Sequence, residues 1–204
     1  MTTQLLLPTQ LTLAAQLLRE HKLVAFPTDT VYGLGTLAFD GPMVLELYRA
    51  KERPPEKAIP ILIAEITDLD QVVIEVPTIA RVLMDRFWPG ALTLVLPKQP
   101  SLPIEVSATH TVAVRMPDHE LTRALMRLTG PLAVTSANRS AGPNSRTAQE
   151  VLEQLNGRID AIFDGGPTPG DVPSTVLDCT SSPPIVLRAG ALVDDVLTFL
   201  HGAL

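Results

Sequence analysis

Residues 23–35 read LVAFPTDTVYGLG, and this stretch decides the fold. The apolar residues 23–26 have the composition of a buried strand, which Pro27 ends because proline has no N–H to donate to a neighbouring strand. Thr28, Asp29 and Thr30 then place three short polar side chains at the strand exit. Ligands of open α/β sheets gather at the carboxyl ends of strands, so this exit is a candidate site. A turn whose Thr and Asp bond local backbone groups fits this stretch equally well.

The rest of the chain alternates helical and strand-like patterns, sometimes with two strands in sequence. This mixture predicts an α/β fold, with an open, twisted, mixed sheet and flanking helices. Helices are predicted over 9–21, 44–50, 77–87, from Asp118 as N-cap to Gly130, from a capping box at Thr147 and Glu150 to residue 156, and over 191–200. Strands are predicted over 23–26, 58–64, 91–96, 111–116, 132–135, 159–163, 174–179 and 184–188.

Composition limits the classes of protein that this chain can represent. Its 204 residues suit one large or two small domains, and 46% apolar residues are enough for a sizeable core. The single cysteine, Cys179, excludes an internal disulfide and favours an intracellular, cytoplasmic protein. We expect no signal peptide and no membrane span, because no apolar run approaches ~18 residues. The net charge of −6 argues against a broadly basic nucleic-acid-binding surface, although a local basic patch stays possible.

Residues 49–57, RAKERPPEK, concentrate basic side chains where a predicted helix meets a proline turn. A solvated face, with nearby glutamates as counter-charges, is the usual meaning of such a run. The alternative is a polyphosphate site. Lys51 and Arg53 precede the rigid Pro54-Pro55 turn and Lys57 precedes a strand, so these cations would be held in place before a ligand arrives.

Arg115 follows the apolar residues 112–114 of a predicted strand. A buried guanidinium without a partner is costly, so we expect a carboxylate beside it, from the protein or from a ligand. Small polar groups also stand at other strand ends, in Ser136-Ala137-Asn138 and Ser174-Thr175. The turn-rich residues 164–173, DGGPTPGDVP, are predicted to form a mobile loop.

Together these stretches resemble the YrdC-type threonylcarbamoyl-adenylate synthases, in motif order and spacing from about residue 10 to 190. The resemblance implies an open, twisted α/β fold with a concave basic face. It also implies one catalytic domain over residues 1–204, in the short form without the additional C-terminal domain of longer members. The motifs are FPTDTVYGLG at 26–35, Lys51-x-Arg53, Trp88-Pro89-Gly90, Arg115-Met116-Pro117, Ser136-Ala137-Asn138, Ser174-Thr175-Val176 and Arg188-x-Gly190.

The resemblance also implies an activity. L-Threonine, bicarbonate and ATP would give L-threonylcarbamoyl-adenylate and pyrophosphate, with Mg²⁺ bound to the ATP and no tightly bound organic cofactor. Other proteins would use the product to modify adenosine 37 of tRNA, and weak tRNA binding is possible. Carried over by position, Thr30, Arg115 and Ser174 would hold L-threonine. The nucleotide would contact Arg53, Lys57, Thr111, Ser136, Asn144 and Arg188, with Lys51 and Arg53 as the catalytic cations.

One position departs from the family pattern, and two other functions stay open. Ala141 stands where the family usually has glycine in S-A-N-x-S-G, on the loop that leads to Asn144. A non-catalytic RNA-binding module, acting in tRNA or ribosome maturation, needs only the basic face. A related carbamoyl transferase with another acceptor is the third possibility.

Overall fold

The computed structural model describes residues 2–54, 56–170 and 172–203 and is built on one open sheet. The sheet contains both parallel and antiparallel pairs along the order β1-β8-β2-β3-β7-β4-β6-β5-β9-β10, which confirms the predicted mixed α/β fold. The strands are β1 Gln4–Leu6, β2 Val24–Phe26, β3 Gly33–Leu37, β4 Ile61–Leu62, β5 Leu92–Pro97, β6 Thr111–Arg115, β7 Leu132–Ser136, β8 Ala161–Phe163, β9 Thr175–Asp178 and β10 Ile185–Arg188.

Helices cover both faces of this sheet, and two separate clusters of buried apolar residues form the core. Helices α1 and α5 pack on one face, while α2, α4, α6 and α7 contribute to the cluster on the other. In β2, Phe26 belongs to the first cluster and Ala25 to the second, as expected for side chains that alternate along a strand. The helices are α1 Leu11–Arg19, α2 Gly41–Lys51, α3 Leu69–Val72, α4 Thr78–Phe87, α5 Glu120–Thr129, α6 Ala148–Leu155 and α7 Val193–Ala203.

Several predicted element ends differ from the structure. The predicted strand over 58–64 pairs only at Ile61–Leu62. His119, not Asp118, is the N-cap residue of α5, while Gly130 ends this helix at the expected positive φ of 83°. Strands β1 and β3 and the short helix α3 were not predicted. Pro55, in the predicted proline turn, and Asp171, in the predicted loop, lie outside the described residues.

The predicted capping box at α6 forms only in part. The Thr147 hydroxyl accepts a hydrogen bond from the N–H of Glu150 at 3.2 Å. The Glu150 carboxylate accepts from the N–H of Arg146 at 2.5 Å instead of returning to Thr147. Within the described ranges, no helix is long and apolar enough to cross a bilayer.

Close contact between β3 and its neighbours depends on glycine. A Cβ atom added to Gly33 would lie 2.7 Å from Cγ1 of Val134 on β7. We therefore expect Gly33→Ala to lower the free energy of unfolding by about 1–3 kcal/mol, the usual cost of overpacking, measured by urea denaturation. Gly202→Ala is the control, because a Cβ there meets no atom within 4 Å. Equal stabilities of the two variants would contradict this account.

Candidate active site

A cavity of about 410 Å³ lies over the part of the sheet between β3 and β10. Leu62 and Val134, which belong to the core cluster beneath α1 and α5, also line this cavity, so it opens where those helices stop covering the sheet. No aspartate or glutamate is among its described lining residues. The cavity brings together these predicted site residues: Thr30, Arg53, Arg115, Ser136, Asn144, Ser174 and Arg188.

Arg115, at the end of β6, is the most strongly fixed side chain of the cavity. Its Nη2 donates to the Asp29 carboxylate, its Nη1 to the Thr30 hydroxyl at 3.0 Å, and its Nε to the Gly90 carbonyl at 2.9 Å. Of the two partners expected from the sequence, a protein carboxylate or a ligand carboxylate, the structure contains the first, which is Asp29. Arginine carries five N–H donors, and these contacts use three of them. One N–H on each of Nη1 and Nη2 is left for a ligand by the contacts described.

The polar residues that follow β2 form a locally bonded turn and also line the site, so both possibilities raised by the sequence apply. The Thr28 hydroxyl donates to the Val31 carbonyl at 2.7 Å and accepts from the N–H of Thr30 at 3.1 Å, which makes it a turn-forming residue. Thr30 instead directs its hydroxyl to Arg115 and to Thr28, 3.0 Å away. Both threonines are buried and both line the cavity. Local turn chemistry thus holds Thr30 at the site.

A second polar chain of the cavity lining joins Arg188, Ser174 and Thr93. Arg188 of β10 donates from Nε and Nη2 to the Ser174 carbonyl, at 3.0 and 2.8 Å, and from Nη2 to the Ser174 hydroxyl at 3.0 Å. The Ser174 hydroxyl is also 2.7 Å from that of Thr93 on β5. Sequence reasoning missed Thr93, whose only signal is a buried hydroxyl inside an otherwise apolar strand.

The third cavity arginine, Arg53, is fixed by main-chain oxygens. Its Nε donates to the Lys57 carbonyl at 3.2 Å and its Nη2 to the Ala58 carbonyl at 3.1 Å. Burial lowers the pKa of Arg53, Arg115 and Arg188, and Arg53 lowers the pKa of Arg188 further by like-charge repulsion. Three guanidinium groups therefore give the cavity an excess of positive charge that suits an anionic ligand.

The structure places the other predicted cations and Thr111 outside this cavity. Lys51 is 1% exposed and bonds main-chain oxygens, so it does not face the cavity beside Arg53, as the prediction of a phosphate-binding pair requires, and it is not part of a solvated face either. Lys57 is exposed and contributes its carbonyl. Thr111 lines an adjoining cavity of about 400 Å³, which shares Ala58, Val95, Ala113 and Leu187 with the first.

The predicted mobile loop is anchored in its first half. The Tyr32 hydroxyl donates to the Gly166 carbonyl at 2.8 Å, and the N–H of Thr168 donates to the Arg146 carbonyl at 2.8 Å. The other end of the loop, Pro173, lines the cavity directly before Ser174. The loop is thus attached to the site at both ends.

A further cavity of about 540 Å³ adjoins Asp29 and is lined by Trp88, Pro89, Gly90 and His119. Its lining also includes Asp29, Asp118 and one arginine, Arg86. Two acidic side chains against one arginine make it less suited to an anion than the arginine-lined cavity.

Comparison with known proteins identifies the family. The family model Sua5_yciO_yrdC, described as telomere recombination, matches residues 16–190. The chain belongs to the Sua5/YciO/YrdC family. A curated member from Bacillus subtilis, named threonylcarbamoyl-AMP synthase, is 45% identical over 196 residues, which are 95% of this chain and 57% of the relative. A Pyrococcus abyssi protein of the same name is 47% identical over 182 residues, 88% of this chain and 54% of that one.

Solved structures of Sua5/YciO/YrdC proteins agree with the fold. Pyrococcus abyssi Sua5, crystallised as a complex with L-threonine, matches with a TM-score of 0.93 and 42% identity, over 99% of this chain and 61% of that one. Escherichia coli YciO matches with a TM-score of 0.84 at 24% identity, which supports the fold alone. The chain spans little more than half the length of the curated relatives described above.

The pair of Asp29 and Arg115 allows a test of the site's construction. Both side chains are largely buried, at 13% and 7% exposure. Asp29→Asn should lower the free energy of unfolding by about 3 kcal/mol, because it leaves a buried guanidinium without its counter-charge. The measurement is urea denaturation, with Asp118→Asn on the exposed loop as control. Equal effects of both substitutions would mean that the pair does not stabilise the fold.

Proposed function

We propose that this chain is an L-threonylcarbamoyladenylate synthase. The observation that carries the proposal is one cavity that combines three arginines with buried hydroxyls and contains no described carboxylate in its lining. The curated relatives named threonylcarbamoyl-AMP synthase and the L-threonine complex of the Pyrococcus abyssi protein support the same activity. The substrates are L-threonine, bicarbonate and ATP, and the products are L-threonylcarbamoyl-adenylate and pyrophosphate.

Arg115, Thr30 and Ser174 form the threonine site in this proposal. The carboxylate of a free amino acid accepts two parallel hydrogen bonds from a guanidinium, and the described contacts of Arg115 leave one N–H on each terminal nitrogen. Asp29 holds the guanidinium in position, so little rotational freedom remains to be lost on binding. The Thr30 and Ser174 hydroxyls add polar contacts to the same ligand.

Arg53 and Arg188 bind the nucleotide phosphates, and Ser136 and Asn144 of the same cavity lining contact the nucleotide. Like-charge repulsion between Arg53 and Arg188 is relieved when a polyanion binds between them. Lys57 directly precedes the lining residue Ala58, and Thr111 lies in the adjoining cavity. Their part in nucleotide binding stays a prediction of the resemblance. The chain has no P-loop motif, so phosphate recognition rests on side-chain cations.

The chemistry needs no protein nucleophile. The amine of threonine and bicarbonate give a carbamate and water, and a carbamate oxygen then attacks the α-phosphorus of ATP, releasing pyrophosphate. Fixed cations stabilise charge on the phosphates as the bond to pyrophosphate breaks. Mg²⁺ enters with ATP and is held largely by phosphate oxygens and water.

The product then passes to other proteins that transfer the threonylcarbamoyl group to adenosine 37 of tRNA, in the cytoplasm. Weak tRNA binding at the basic face would help this transfer. A non-catalytic RNA-binding module would use the same face without turning over ATP, so the reaction itself separates these functions.

The proposed reaction predicts a strict substrate requirement. Pyrophosphate release from ATP should depend on both L-threonine and bicarbonate, since the attacking carbamate contains both. A coupled pyrophosphate assay with each component omitted in turn measures this, with L-alanine as the amino-acid control. Release of ADP and phosphate, or release that ignores threonine, would rule out the proposed activity.

Arg53 tests the phosphate site. Arg53→Ala should cost about 2–4 kcal/mol of transition-state stabilisation, read from kcat/KM for ATP, because it removes a fixed cation from the cavity. Arg49→Ala is the matched control, since this nearby arginine on α2 is 69% exposed and pairs with Glu46. A normal kcat/KM in the Arg53→Ala variant would mean that Arg53 does not bind the phosphates and belongs to a solvated run of charges.

A further inference from the structure

Lys51, the last residue of α2, is buried directly behind the cavity wall. Its Nζ donates to the main-chain carbonyls of Ser136 and Asn138 and lies 3.4 Å from Oδ1 of Asn138. A lysine ammonium has three N–H donors, and three oxygens of one turn accept them. Lys51 therefore has no donor left for a phosphate, although its position in the sequence suggests that role.

The turn held by Lys51 begins residues 136–145, here called the wall segment. Its first residue, Ser136, and Asn144 near its end both line the cavity. Lys51 also holds the segment through its own main chain, because its carbonyl accepts from the N–H of Ser140 at 2.8 Å. The end of α2 thus binds the wall segment through both the side chain and the main chain of Lys51.

The wall segment closes on itself around Asn138. The Nδ2 of Asn138 donates to the carbonyls of Arg139 and Gly142, both at 2.8 Å. The hydroxyl of Ser145 donates to the Ala137 carbonyl at 2.8 Å. Tyr32 also holds the segment, through main-chain hydrogen bonds with Ala137 and Ser145 at 2.7 and 2.9 Å. Lys51 therefore shares the attachment of the segment and supplies the part at the carbonyls of Ser136 and Asn138.

The buried charge is stabilised by dipoles. Burial, and then the positive charge of Arg53, lower the pKa of Lys51 to about 7. Carbonyl oxygens and the C-terminal end of α2, where backbone carbonyls point outward, offset part of this cost. A buried lysine whose Nζ contacts three oxygens of one turn indicates that the position of this turn matters.

We propose that Lys51 is a positioning residue that fixes the wall segment, and through it Ser136 and Asn144, for nucleotide binding. It acts through main-chain carbonyls and does not touch the phosphates. The inference rests on the proposed function only for its nucleotide and activity measurements, because the attachment itself can be measured in the ligand-free protein.

The test uses Lys51→Met, which keeps the apolar stem and removes all three donors. Hydrogen exchange by mass spectrometry on the ligand-free protein should show faster exchange over residues 136–145. The affinities for AMP and for ATP should fall by the same factor. When the assay is run well below the melting temperature of the variant, kcat/KM for pyrophosphate release should fall roughly ten- to hundredfold. Arg49→Met, on the exposed face of α2, is the control and should change none of these.

Three results would overturn the proposal. Unchanged exchange over the wall segment would show that Lys51 does not hold it. A loss for ATP much larger than for AMP would make Lys51 a direct ligand of the outer phosphates. A lower melting temperature with normal kcat/KM would leave Lys51 a purely stabilising role. If the wild-type protein binds no nucleotide while the exchange result holds, the proposed function fails and the attachment stands.

A second variant covers the case in which Lys51→Met does not fold. Asn138→Ala removes the two bonds to Arg139 and Gly142 within the wall segment, together with the Oδ1 acceptor of Lys51, and keeps Lys51 with its two main-chain acceptors. It should loosen the same residues and weaken AMP and ATP equally. Normal affinity for both nucleotides, despite faster exchange of the wall segment, would contradict the proposal.

Discussion

The contact of Arg115 with Asp29, Thr30 and Gly90 is the constraint on which the site depends. It joins the end of β6, the exit of β2 and the turn before β5, which are far apart in the chain. A guanidinium in this largely buried position must be paired, and its planar fork can satisfy three partners at once. The polar exit of β2 is thereby fixed over the sheet face that α1 and α5 leave open. The cavity exists because this contact holds its wall in place.

Few acidic side chains neutralise the positive charge of the arginines in this cavity. Asp29 neutralises Arg115, whereas Arg53 and Arg188 bond mainly to main-chain oxygens, which position a guanidinium without cancelling its charge. The molecule as a whole is acidic, with a net charge of −6. A local excess of positive charge inside an acidic protein favours binding of small anions over extended nucleic acid. This distribution supports the enzymatic proposal over a module that binds RNA alone.

Local patterns predict much of the fold, and the failures have physical causes. Helix α4 and strands β5 and β6 follow from apolar periodicity within one or two residues, because burial decides their character. Strand β1, three residues with only Leu6 buried, depends on pairing with β8, more than 150 residues later, which no local pattern encodes. The N-cap of α5 falls on His119 because chain geometry, not side-chain preference, decides where that helix begins.

The candidate site was predictable in its residues but not in their arrangement. The resemblance selects the residues that line the cavity, yet Asp29 as the partner of Arg115 and Thr93 beside Ser174 appear only in three dimensions. Lys51 shows the limit most clearly. From the sequence, a lysine two positions from Arg53 is expected to face the same ligand as Arg53. In the fold, the Lys51 side chain instead points inward and bonds main-chain oxygens at the exit of β7. Charge patterns in a sequence do not distinguish a ligand contact from such an internal support.

The measurement that tests this account most directly is calorimetric titration of L-threonine into wild-type protein and Arg115→Lys, with ATP titrated separately and a melting curve for each. Lysine keeps the charge near Asp29 but not the fork. The account predicts that the threonine Kd rises roughly tenfold or more, about 1.4 kcal/mol, while ATP affinity without threonine stays near normal. An unchanged threonine affinity, with only a lower melting temperature, would contradict it and leave Arg115 as a structural partner of Asp29.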